Sequence, residues 1–113
     1  MDILFCGAGK MATAIAGGIV AKNLFPGDRI VAADPSAEAR DAFSRATGLE
    51  TVPAVTEELA AGADVLVLAV KPQAAPQAFS AMPPLKKNCL VFSICAGLSL
   101  EKLRTWFGDA RMV

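Results

Sequence analysis

The stretch "MDILFCGAGKMATAIAGGI" (residues 1–19) decides the fold. A short apolar run at residues 3–6 is followed at once by Gly7, Ala8 and Gly9, and then by a segment with helical spacing, residues 10–22. In that segment Ala12, Ala16 and Val20 recur every four residues, with Ile15 and Ile19 beside them, which predicts a buried helix face. A strand that turns through small residues into a helix is the opening of a βαβ unit. Taken alone, it is a small-residue bend as readily as a phosphate-binding turn.

The rest of the chain repeats the alternation. Breakers at Pro26 and Gly27 precede "IVAAD" (residues 30–34), a second strand ending in an acid. Ser36 is placed to cap a helix over residues 37–47, which Gly48 ends. "ETV" (residues 50–52) predicts a minor strand. Thr56 is placed to cap a short helix over residues 56–61. "DVLVLAV" (residues 64–70) is an unbroken apolar run, the pattern of a central parallel strand buried on both faces. "KPQAAPQAFSAM" (residues 71–82) leaves it and reads as partly helical. Residues 89–94 predict another buried strand, and residues 100–107 a helix capped by Ser99 and ended by Gly108. "ARMV" (residues 110–113) predicts the start of one more strand. The expected architecture is therefore α/β: one doubly wound parallel sheet over residues 1–113, with helices on both faces and ligands at the carboxyl ends of its strands.

Composition narrows the partners. The chain has 113 residues, 54% of them hydrophobic, with 11 basic and 11 acidic side chains. The balanced charge, without a long run of one sign, gives no footprint for nucleic acid or an anionic membrane. No apolar run is long enough to span a bilayer. The N-terminus carries no basic segment ahead of its apolar run, so no signal peptide is expected. Cys6, Cys89 and Cys95 lie in or beside strands and have no metal-ligand spacing. An odd number of thiols at buried positions argues for a reducing, cytoplasmic setting, not a disulfide framework. There is no histidine and no tyrosine, so the commonest acid–base side chain is missing.

The opening turn gains meaning from its context. Gly7-x-Gly9-x-x-Ala12 follows a strand and opens a helix, and Asp34 ends the next strand about 20 residues further on, as a dinucleotide fingerprint requires. Gly7 serves the tight turn, Gly9 the close approach of a pyrophosphate, and Ala12 the packing of helix on sheet. The helix N-terminus offers free N–H groups and partial positive charge. Asp34 is placed to accept the adenosine ribose hydroxyls and to repel a 2′-phosphate, whereas Ser36 and Arg40 are the groups that a 2′-phosphate would use. NAD and NADP both stay open. Lys71, held by Pro72, stands at the carboxyl end of the apolar strand and faces the expected crevice. Cys95, Ala96 and Gly97 end the following strand at the same level, where small residues leave room for a flat ring. Met11 and the glycine pair Gly17 and Gly18 are expected to pack against neighbouring elements.

Three motifs together are more distinctive. "GAGKMATAIAGG" (residues 7–18), "LAVKPQ" (residues 68–73) and "SICAGLSLEKL" (residues 93–103) resemble, in order and spacing, the N-terminal half of pyrroline-5-carboxylate reductase, over essentially the whole chain. The resemblance implies NAD(P)H as cofactor and 1-pyrroline-5-carboxylate as the small-molecule substrate. It assigns Gly7, Ala8, Gly9, Lys10, Met11 and Ala12 to the pyrophosphate turn. Asp34, Pro35, Ser36 and Thr56 fall at the adenosine end, Ala69, Val70, Lys71 and Pro72 beside the ribose and nicotinamide, and Cys95 to Gly97 near the nicotinamide ring. It implies no catalytic acid or base in this half. A helical C-terminal domain beyond residue 113 would build the homo-oligomer and complete the substrate site, so residues 1–113 alone are expected to bind cofactor without turnover. Lys10, Asp34 and Thr56 depart from the family's usual residues there, which are Asn or Gln, Ser or Asn, and Asn. Two other readings share the glycine turn: the cofactor domain of a deazaflavin-dependent or β-hydroxyacid oxidoreductase, and a stand-alone nucleotide-sensing module.

Overall fold

A computed structural model describes residues 1–22 and 28–94 and the backbone of residues 111–112. Six parallel strands form one sheet in the order β3-β2-β1-β4-β5-β6. They are β1 (Asp2–Cys6), β2 (Arg29–Ala33), β3 (Glu50–Val52), β4 (Val65–Leu68), β5 (Leu90–Ser93) and β6 (Arg111–Met112). The helices are α1 (Lys10–Ala21), α2 (Ala37–Thr47), α3 (Glu57–Gly62) and α4 (Ala75–Ser80), the last entered through a 3₁₀ turn at Pro72–Ala74. This is the doubly wound arrangement that strand–helix alternation predicts.

Alternation of side chains along each strand builds two cores. Ile3 and Phe5 of β1, Ile30 and Ala32 of β2 and Val67 of β4 face α1 and α2. Ala12 and Ala16 bring α1 close to that face, and the Phe43 ring of α2 meets Phe5 at a tilted 6.1 Å centroid separation. On the other face Leu4, Cys6, Val31, Leu66, Leu68 and Val91 pack with Leu59 of α3 and Ala78 of α4. Strands buried on both sides explain the continuous apolar runs at residues 3–6 and 65–68.

Several details depart from expectation. Val20 is exposed, whereas Ile15 and Ile19 join the core beside Ala12 and Ala16. A four-residue step advances about 40° beyond one turn, so the stripe rotates off Val20 and onto the isoleucines. Gly17 and Gly18 have no packing partner among the described residues, since a Cβ at either meets nothing within 4 Å. Met11 is 61% exposed, so it does not pack into the core. β4 is shorter than residues 64–70. Ala69 still donates to the Cys6 carbonyl at 2.8 Å, but the next residue of β1, Gly7, turns away at φ +107° and the ladder ends. Ser36 and Thr56 cap α2 and α3 through their hydroxyls, and Gly48 closes α2 at φ +72°. The turn at Pro26–Gly27, Cys95 to Gly97 and the helix expected at residues 100–107 lie outside the described residues.

Candidate functional site

The strand order reverses at β1: β2 and β3 lie to one side, β4, β5 and β6 to the other. Because all strands are parallel, Cys6, Ala33, Leu68 and Ser93 end on one edge of the sheet. The loops after β1 and β4 leave that edge in opposite directions and open a crevice between them, the place where doubly wound folds bind ligands.

One wall of the crevice is the turn Gly7–Ala12. Gly7 is required by the protein itself. Its φ is +107°, and a Cβ there would sit 2.8 Å from the Ala69 carbonyl oxygen. The turn is thus pressed against the end of β4, and its N–H is fixed on the Ala33 carbonyl at 2.7 Å. Gly9 differs: its φ is −76°, and a Cβ would meet nothing within 4 Å among the described residues. Nothing described in the fold calls for glycine there, whereas a phosphate approaching the backbone does.

Gly9 is also the N-cap of α1. No side chain caps this helix, and its first turn holds no acid. Its first N–H groups therefore point into the crevice without intrahelical partners, together with the positive end of the helix dipole. Lys10, at the first helical position, and Lys71 after β4 are both exposed. Neither has an ion-pair partner among the described residues, so with the uncapped N–H groups of α1 they are the groups at this edge that could hold a phosphate.

Asp34, half-buried after β2, is held from every side. Its Oδ2 accepts from the Ala8 N–H at 2.9 Å and its Oδ1 from the Ser36 N–H at 2.9 Å. Its own N–H donates to the Val52 carbonyl at 3.0 Å, and the Arg40 guanidinium donates to its carbonyl at 2.8 Å. The acid that sequence placed at the end of β2 is therefore joined directly to the phosphate turn. The couplings to Ala8 and Val52 are long-range contacts that the sequence does not spell out. Only the Asx turn within "DPS" gave a local signal. Beneath the turn, burial and, secondarily, the Asp34 carboxylate push the Cys6 thiol up to about 11, so it stays protonated and unreactive at neutral pH. Cys89 is likewise buried and free.

The structure thus brings together Gly7 to Ala12, Asp34 to Ser36 and Ala69 to Pro72 at one edge. Thr56 starts α3, after β3, and its hydroxyl accepts from the Leu59 N–H at 3.2 Å, a helix-capping role. A second concavity, of about 140 Å³, is lined by Asp2, Arg29, Glu58 and Gly62 at the opposite, amino-terminal end of the strands. Its one guanidinium, that of Arg29, is paired with Glu50 at 3.1 Å, so it offers no open donor set. Among the described residues no group of acids and cysteines could hold a metal ion, and no helix is long and apolar enough to cross a membrane.

Known proteins resemble this chain in sequence and in fold. The chain is 40% identical over 112 residues to the pyrroline-5-carboxylate reductase of Pseudomonas aeruginosa, covering 98% of this chain and 40% of that protein. It is 37% identical over 111 residues to that of Arabidopsis thaliana, covering 96% and 40%. Among solved structures, the Coxiella burnetii pyrroline-5-carboxylate reductase superposes with a TM-score of 0.78 at 29% identity, over 97% of this chain and 41% of that one. The Plasmodium falciparum pyrroline carboxylate reductase, solved with NADP bound, gives 0.75 at 30% identity, over 96% and 38%. A prephenate dehydrogenase from A. aeolicus shares the fold alone, at 0.79 and 15% identity. The chain spans about two fifths of the length of these relatives. The family model described as NADP oxidoreductase coenzyme F420-dependent matches residues 2–97, most of the chain, which belongs to that family.

Proposed function

We propose that this chain is the NAD(P)H-binding domain of a pyrroline-5-carboxylate reductase. The observation that carries the reading is the uncapped start of α1, set against the end of β4 at the point where the strand order reverses. The residues present fit a dinucleotide: free N–H groups for two phosphates, open space over Gly9, and an oriented carboxylate at the adenosine end. The relatives' names support the choice of substrate, and the NADP bound to the P. falciparum protein supports the choice of cofactor.

In this reading the N–H groups at Gly9 to Ala12 hold the pyrophosphate, aided by Lys10. Asp34, Pro35 and Ser36 meet the adenosine ribose, with Thr56 behind them. Ala69, Val70, Lys71 and Pro72 line the ribose and nicotinamide; the expected ring-side residues, Cys95, Ala96 and Gly97, lie outside the described residues. A bound reduced nicotinamide would supply the hydride needed to reduce the carbon of the protonated C=N bond to proline. The chain's own contribution in this reading is positional: it fixes one face of the ring, and none of the described residues is assigned as acid or base. Carboxylate recognition and any proton donor are assigned to the remaining part of a full-length, homo-oligomeric, cytoplasmic enzyme.

Residues 1–113 alone should therefore bind cofactor and not reduce 1-pyrroline-5-carboxylate. Gly9→Val should abolish binding while the far-ultraviolet circular dichroism stays unchanged. Turnover by residues 1–113, or cofactor affinity retained in Gly9→Val, would contradict the proposal. A deazaflavin partner is the second reading, favoured by the family description. Assaying the full-length enzyme with reduced F420 and NADP against NADPH and the pyrroline distinguishes the two.

A further inference from the structure

Resting on that reading, we infer that Asp34 makes this chain select the 2′-hydroxyl form of the cofactor, NADH, within a family whose description names NADP. A carboxylate has about four lone-pair directions. In Asp34 one on each oxygen is taken, by the Ala8 and Ser36 N–H groups, which leaves one acceptor direction on each oxygen. That pair matches the two hydroxyl donors of a ribose cis-diol. A 2′-phosphate brings negative charge and no donor at neutral pH, and so meets an acceptor-only group of like charge.

The usual escape, in which the acid swings aside for the phosphate, is closed here. Both side-chain oxygens are bound to backbone N–H groups, and the Asp34 backbone is tied to Val52 and Arg40. Turning the carboxylate away would strand the Ala8 N–H inside the phosphate turn. The donors beside the acid are only partly engaged, so the carboxylate itself carries the selection. Arg40 donates to the Asp34 carbonyl, and the Ser36 hydroxyl accepts from the Ala39 N–H at 3.2 Å as the cap of α2.

The test is calorimetric titration of the protein, and of its Asp34→Ser and Asp34→Asn variants, with NADH and NADPH side by side. The wild type should bind NADH at least about tenfold tighter than NADPH, since like-charge contacts across a binding site are strongly disfavoured. Asp34→Ser should move the affinity ratio toward NADPH by about tenfold or more. Asp34→Asn keeps one acceptor oxygen for the turn and loses the charge, so its ratio should move the same way even if the serine variant fails to fold. A purely structural Asp34 would change both affinities together and leave the ratio fixed, which would overturn the inference, as would equal or tighter NADPH binding by the wild type. If the wild type bound neither nucleotide, the cofactor reading itself would fall.

Discussion

Gly7 and Gly9 stand two residues apart and are glycine for different reasons. At Gly7 the backbone is left-handed and the end of β4 occupies the space a side chain would need. Gly7→Ala should therefore cost about 2–4 kcal/mol, the range for strain combined with a core clash, read as a lower urea midpoint. Gly9→Val should cost only about 1 kcal/mol, through a poorer N-cap, and lose the ligand instead. The motif assigns Gly7 to the turn and Gly9 to the phosphate, and the distance to Ala69 adds that a side chain at Gly7 would clash with the end of β4. Cys6 adds a pH-dependent effect at the same spot. Its thiol is pushed from 9.0 to about 11 in the fold, so between those values the unfolded chain has lost a proton that the folded chain retains. Stability should fall as pH rises from about 9 to about 11. Cys6→Ala should flatten that part of the profile in denaturation measured at successive pH values; an unchanged slope would remove Cys6 as its source.

At the scale of elements, local chemistry was readable wherever one residue decides a boundary. Ser36 and Gly48 bracket α2, and Thr56 starts α3, because a cap is a contact between near neighbours in sequence. Asp34 was recognisable as the acid that ends β2. Its four-way anchoring was not, since Ala8 and Val52 lie far from it along the chain. The role of α1 likewise depends on contrast: α2 and α3 carry side-chain caps and acids in their first turns, while α1 has neither. The misplaced packing of Gly17, Gly18 and Val20 shows the limit of periodicity, which gives a face but not which neighbour, if any, reaches it. Replacing the Ser36 cap by alanine should lower stability by about 1 kcal/mol. Because Ser36 also donates its N–H to Asp34, its backbone contribution to the site should survive that change, and NADH affinity should fall less than in Asp34→Ser.

For the whole molecule, the two ends of the sheet have different work. Among the described residues the carboxyl edge holds cations without an ion-pair partner and open N–H groups, while the amino edge is knitted together. Asp64 there accepts from the Asp2 N–H at 2.7 Å and from the Lys86 ammonium, joining the starts of β1 and β4 to the segment before β5. The lysine, and then the backbone N–H, hold its carboxyl below the ordinary 3.8. A depressed carboxylate contributes stability above its unfolded value, and that contribution is lost as pH falls through the folded one. Acid unfolding should therefore steepen below about pH 4, and Asp64→Asn should be less stable at neutral pH with a shallower acid limb. The doubly wound topology was legible from strand–helix alternation because each βαβ crossover has one favoured hand. The location of the crevice followed from it, since two loops diverge at only one edge position. The account is tested most directly by following backbone amide shifts by NMR during titration with NADH. Shifts should concentrate at Gly9, Lys10, Met11 and Ala12, at Ser36, and at Ala69 to Lys71; changes confined to Asp2, Arg29, Glu58 and Gly62 at the opposite edge, or no changes at all, would contradict it.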